Sequence, residues 1–195
     1  MYGTACGGRK RMMQDLVKAI TDTVTSMLNE VHTALPAEIV EFDPKDCTAT
    51  VLPLAKMVLT NGKVIDYPQI TDVPVMFQQG AGRDVSVVFP VKKGDGCLLI
   101  VSEQTLDMWR GEGEQFSEMK YALSNAVALP GLFSKPPKEI KDAIKDDCII
   151  VTNKNLKMVI SEKHIGIDGD LKIRGDVKVS GSVSEHQLLL NPFNS

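Results

Sequence analysis

Aromatic residues are scarce in this chain: Phe, Trp and Tyr supply 5% of its 195 residues, while hydrophobic residues overall supply 43%. Any core it builds is therefore aliphatic and small-featured, packed by Val, Ile, Leu and Met. No apolar run reaches the roughly 18 residues of a transmembrane helix, and Met1 to Gly8 hold no apolar stretch of the signal-peptide kind. The four cysteines, Cys6, Cys47, Cys97 and Cys148, form no Cys-x-x-Cys pair, so a closely spaced zinc or redox motif is excluded. They read as thiols of a protein folded in a reducing cytoplasm. Net charge is -3 with a pI near 5.6, so no general field draws the chain to nucleic acid or acidic lipid. The one basic cluster, Arg9-Lys10-Arg11, reads as a solvated end.

Catalytic patterns are missing too. His32, His164 and His186 lie in three different segments, with no His-Glu-x-x-His helix and no nucleophile elbow. Gly80-Ala81-Gly82 and Gly111-Glu112-Gly113 are not followed by the Lys-Ser/Thr of a phosphate loop, so they read as turns. The expectation is a protein without catalytic residues, not an enzyme.

What the chain does have is a six-residue repeat. Gly169-Asp170-Leu171-Lys172-Ile173-Arg174 is followed by Gly175-Asp176-Val177-Lys178-Val179-Ser180, and then by Gly181-Ser182-Val183-Ser184-Glu185-His186. Gly opens each unit, as a tight corner requires, because only Gly takes positive φ without penalty. Leu171, Ile173, Val177, Val179 and Val183 alternate with polar residues, the period of a half-buried strand. One such chain has too thin an apolar face to fold alone, and stacking against copies of itself supplies the missing core.

Upstream, Met13, Val17, Ile20, Val24, Met27, Val31 and Ala34 recur at alternating four- and three-residue steps. This stripe predicts a helix over 9–34, preceded by Gly7-Gly8 and ended by Pro36, either amphipathic or of coiled-coil type. From Ala37 the period becomes two. Glu38 to Phe42 and Cys47 to Pro53 read as a hairpin about Asp43-Pro44-Lys45-Asp46. Asn61-Gly62 marks a further turn. More strands are expected at Val73–Phe77, Asp84–Phe89 and Cys97–Ser102, with Gly94-Asp95-Gly96 turning between the last two, and together they suggest a small β-barrel. Leu106–Gly113 and Met119–Leu132 read as loop and partly helical connection, and Pro136-Pro137 opens a polar linker. The expected domains are a helix over 1–36, a barrel with its connection over 37–135, a linker over 136–147 and a β-structured end over 148–195. The final Leu188-Leu189-Leu190-Asn191-Pro192-Phe193 is an apolar cap or docking peg, with Leu188, Leu189, Leu190 and Phe193 as its contact residues.

Several stretches in this order carry a family likeness. They are Tyr67-Pro68 with Val73-Pro74-Val75, Phe89-Pro90-Val91-Lys92-Lys93-Gly94-Asp95, Leu123-Ser124-Asn125-Ala126 with Pro130-Gly131-Leu132, and the closing Gly-Asp repeats. Over roughly residues 37–186 the chain resembles the baseplate central spike proteins of contractile-tailed phages and phage-like bacteriocins (tailocins). The resemblance implies a mainly β homotrimer: an N-terminal helix, an OB-like β-barrel collar on the tail hub, and a C-terminal intertwined trimeric β-helix. In a trimer, the stripe of Met13, Val17, Ile20, Val24, Met27 and Val31 becomes a threefold coiled coil facing the tail tube. Leu171, Ile173, Val177, Val179 and Val183 become the packing of the trimer axis.

The implied work is mechanical: the spike plugs the tail tube and punctures or contacts the target cell envelope on sheath contraction. Its implied partners are two further copies, the tail hub or tube, baseplate proteins, a tip-capping protein and the target envelope, with no nucleic acid. Its place is the virion or tailocin particle, assembled in the host cytoplasm. The family pattern departs at two points. Asn125 stands where the family motif has Asp. Glu185-His186-Gln187 has one His where many family tips carry an iron-holding His-x-His, which leaves His186 as the single candidate ligand and no expected cofactor. The rival reading, an OB-fold module for single-stranded nucleic acid, needs stacking aromatics and a basic groove. The barrel region offers Phe42, Tyr67, Phe77 and Phe89 in an acidic chain.

Overall fold

The structure, a computed structural model, describes residues 5–59, 62–111 and 120–181, with side chains from residue 11 onward. The chain divides into two compact units, Met1–Lys135 and Pro136–Ser195. Asn61, Val183, His186 and the peg residues Leu188, Leu189, Leu190 and Phe193 lie outside the described residues.

The first unit begins with α1 (Ala5–Asn29), which runs through Gly7-Gly8 and stops short of the expected end. The stripe residue Val31 thus lies beyond the helix, and Ala34 opens a strand. The reason is competition for backbone: Val101 N–H donates to the Thr33 carbonyl (2.9 Å), and Ala34 pairs with Ile100. Leu35 also precedes a proline and is biased to extended backbone. Pro36, expected to end the helix, sits inside β1 (Ala34–Asp43).

β1 and β2 (Thr48–Pro53) form the expected antiparallel hairpin, with Ala37 opposite Pro53 and Asp43 opposite Thr48. Lys45 N–H donates to Asp43 Oδ1 (2.8 Å), and this Asx-type bond closes the turn. With β5 (Ile70–Pro74), β8 (Gly96–Val101) and β9 (Ala126–Pro130) the hairpin makes a five-stranded sheet of order β5-β2-β1-β8-β9. The sheet curls into a half-barrel whose edge strands meet at one parallel bridge, Val75 to Ala128, where Met76 N–H donates to the Ala128 carbonyl (2.9 Å). Two small hairpins stand apart from it: β3 (Lys56–Val58) with β4 (Val64–Asp66), and β6 (Gln78–Gly80) with β7 (Val85–Val87).

Two expectations about this sheet are corrected. Gly94-Asp95-Gly96 does not join β7 to β8 as a hairpin, because β7 pairs only with β6. The turn docks on β1 instead, with Ile39 N–H donating to the Asp95 carbonyl and Gly94 N–H to the Ile39 carbonyl, both at 2.8 Å. Ala126–Pro130, read as connection, is strand β9: its exposed carbonyls and amides are claimed by β8 from Cys97 to Val101.

The core is aliphatic, as the composition requires. Ala37, Ile39, Ala49, Val51, Val73, Val75, Cys97, Leu99, Val101, Ala126 and Ala128 are all buried, and no aromatic ring is among them. Alternate residues of β2 and β8 face this interior, as do Ala37 and Ile39 of β1, and a register shift between Ile39 and Glu41 then brings Phe42 against the core. Asn125 is the one buried polar residue named here, and none of the buried side-chain polar atoms among the described residues lacks a partner.

In the second unit, the stretch read as a linker forms α3 (Glu139–Asp146). Glu139 and Asp142 in its first turn and Lys145 in its last complement the helix dipole, which a purely polar reading overlooked. β10 (Ile149–Asn153), β11 (Leu156–Ile160) and β12 (Ile165–Asp168) follow as an antiparallel meander. Among the described residues the repeat segment 169–181 takes part in no strand pairing, and the expected β-helix is not seen there. The corners fit the expectation at two repeats: Gly169 and Gly175, six residues apart, take φ of 132° and 130°. No residue of the described part of this unit is buried.

Candidate assembly surfaces

Three apolar surfaces are left uncovered by the described residues. The first is the helix. Met13, Val17, Ile20, Val24 and Met27 lie on one stripe of α1 and are 49–67% exposed, and Met12, Leu16 and Leu28 widen it. A helix of this length gains most of its stability from packing an amphipathic face, and here the described residues do not cover that face.

A second surface lies on the half-barrel. The short helix α2 (Asp107–Arg110) carries the chain's single tryptophan, Trp109, at 72% exposure. Arg110 pins the helix to β5: its guanidinium donates to the Asp72 carbonyl (2.6 Å) and to Asp72 Oδ2 (3.2 Å). Asp72 itself holds φ of 62°. Trp109, Phe77, Met76, Leu106, Arg83 and Asp72 line an open groove of about 1100 Å3 beside this helix. Cys47 and Arg83, at φ of 55° and 82°, add two more non-glycine residues in left-handed backbone to its walls. Sequence reasoning missed this groove, although a lone Trp in an aromatic-poor chain was a signal for it.

The third surface is the C-terminal row. Leu171, Ile173, Val177 and Val179 are 53–64% exposed, on alternate residues of a segment with no strand partner. Among the described residues both the helix stripe and the repeat row are exposed.

Chemistry is sparse among these surfaces. Burial pushes the Cys97 thiol up from an ordinary 9.0 to about 11, and burial also raises Cys47, so neither offers a ready thiolate. Ser161 Oγ meets His164 Nδ1 at 3.2 Å, but the same hydroxyl donates to the His164 carbonyl (3.0 Å) and accepts from its N–H (3.3 Å), which makes it the brace of the β11–β12 turn. Among the described residues no three His, Cys, Asp or Glu side chains gather as a metal would need, and His186 lies outside them.

The curled β-domain and the C-terminal unit each present apolar surface that the described residues do not cover. Residues 35–131, close to half of the chain, match the family model of the phage protein Gp138 N-terminal domain. The match indicates a phage structural protein of the baseplate or spike type, with its place and partners in the virion. No curated protein matches the chain.

Proposed function

We propose that this protein is the central spike at the tip of a contractile tail, of a phage or a tailocin. It is a homotrimer that plugs the tail tube and punctures or contacts the target envelope when the sheath contracts. The observation that carries this reading is the contrast between the two units. The half-barrel has a complete core of its own, whereas the C-terminal unit buries no described residue and still presents an aliphatic row with glycine corners. A row of that kind gains an interior only when copies wrap a common axis, which puts Leu171, Ile173, Val177, Val179 and Val183 on that axis. Burying each such side chain stabilises by about 1.5–3 kcal/mol, and threefold symmetry repeats every layer. Backbone groups that find no partner within one chain pair between chains, closing the free edges. Lys172, Arg174 and Lys178 with Asp168, Asp170 and Asp176 then give the outside mixed charge, which hinders sideways association.

In this reading α1 meets the tail tube as a threefold coiled coil, the half-barrel is the collar on the hub, and Leu188, Leu189, Leu190 and Phe193 dock a cap or form the tip. The work is mechanical and uses no catalytic residue. The test is Val177→Asp, which sets three carboxylates on one axis. Light scattering should show the trimer of the parent chain lost, because buried unpaired charge is too costly. An intact trimer would refute the axial placement.

A further inference from the structure

We infer that the trimer interior begins at the β10–β12 meander, and that one face of this sheet is the base on which three copies first meet. The inference rests on the trimeric reading above and places a surface that the repeat row alone does not. Paired residues of an antiparallel sheet share a face. Ile149 pairs with Ile160 and Val151 with Met158, while Ile160 pairs with Ile165 and Met158 with Ile167. These residues and Leu156, opposite Asn153, therefore stand together on one side. That face is aliphatic but for Asn153, yet Ile149, Val151 and Ile165 are 62%, 54% and 64% exposed. The opposite face carries Ile150 and Val159, both half-buried, together with Thr152, Lys157, Gly166 and Asp168, and there Lys157 reaches Asp142 of α3 at 3.7 Å. The chain's own helix thus makes its ion pair on that second face, and among the described residues the side of Ile149, Val151 and Ile165 is the more exposed.

What covers that side follows from continuity. Ile165 and Ile167 of the open face are followed, at every second position, by Gly169, Leu171, Ile173, Gly175, Val177, Val179, Gly181 and Val183. The period never slips in the sequence, and in the proposed trimer the glycine corners fold the repeats so that the row continues the sheet face, aliphatic or glycine throughout. A one-residue slip would send the whole row to solvent, so a register kept over this length marks a single buried side. The occupant is therefore the same surface of two further copies. Three sheets set apolar face inward make a wide base, and the repeats continue from it as the narrower shaft.

The experiment compares full-length variants by sedimentation. Met158→Glu, on the open face, should lower the mass threefold, from trimer to monomer, while Thr152→Glu, on the other face, should stay trimeric. A trimeric parent with a trimeric Met158→Glu variant would overturn this inference and leave the spike reading standing. A monomeric parent would mean that the chain covers the face itself, with its own last residues, and would overturn both. If both variants dissociate, oxidative cross-linking decides. Ile167→Cys should give an interchain disulfide mapped by mass spectrometry and Thr152→Cys should give none, and absence of the Ile167→Cys link would overturn the inference.

Discussion

Gly96 has no room for a β-carbon: one built there would sit inside contact distance of the Leu132 carbonyl oxygen, which belongs to backbone and cannot step aside. Gly131 N–H donates to the Gly96 carbonyl (2.9 Å), so the crossing of the two segments is also held by a hydrogen bond. Gly96→Ala should therefore lower stability by about 1–3 kcal/mol, read as a fall in the melting temperature of the half-barrel. At the next residue the chemistry is set by burial. The Cys97 thiol is neutral in the fold up to about pH 11, whereas the unfolded chain releases its proton near 9.0. A folded-state pKa raised in this way gives stability that is complete below the unfolded value and is lost as pH climbs toward the folded one. Denaturant titrations between pH 9 and 11 should show a loss of up to about 1.4 kcal/mol per pH unit from this group. Cys97→Val should remove that part of the slope, and an unchanged slope would show that the thiol is not the cause.

At the scale of elements, α2 is a four-residue helix too short to hold itself, and Arg110 holds it for the sheet. Asp72 is largely exposed, so the ion pair counts for about 1 kcal/mol or less; its consequence is positional. Arg110→Ala should leave the melting temperature nearly unchanged and lower the fluorescence anisotropy of Trp109, the only tryptophan in the chain. An unchanged anisotropy would mean that another contact fixes the helix. The elements that the sequence revealed are those whose side chains alternate against the core, such as the 38–53 hairpin and the strand from Cys97. β9 was illegible because Ala126-Val127-Ala128-Leu129 has an ordinary helix-forming composition and becomes a strand only through its ladder with β8. The end of α1 was misplaced for the same reason: Thr33 and Ala34 have backbone partners on β8 that no local pattern announces. The repeat row could be read because its period and its glycines are local properties, while the Trp109 groove needs residues from β2, β5, α2 and the β6–β7 hairpin and so could not.

At the scale of the molecule, the half-barrel and the C-terminal unit differ in what they need from other copies, and this difference can be measured. The half-barrel buries Ile39, Val51, Leu99 and their neighbours without help, so its unfolding involves one chain and its midpoint is independent of concentration. The unit from Pro136 onward presents Ile149, Val151, Ile165, Leu171 and Val177 to solvent, and in the proposed trimer these side chains supply its whole interior. Its folding is then association, and mass action stabilises the associated form. Three chains joining lose about 2.8 kcal/mol per trimer for each tenfold dilution, twice the roughly 1.4 kcal/mol of a single tenfold factor. Scanning calorimetry of the full chain at two concentrations a decade apart should thus resolve two transitions. One should stay fixed and be sensitive to Gly96→Ala; the other should move down on dilution and be sensitive to Val177→Asp. Two transitions that both ignore concentration would mean that the aliphatic row finds its cover within one chain, and a spike made by threefold wrapping would have no physical basis.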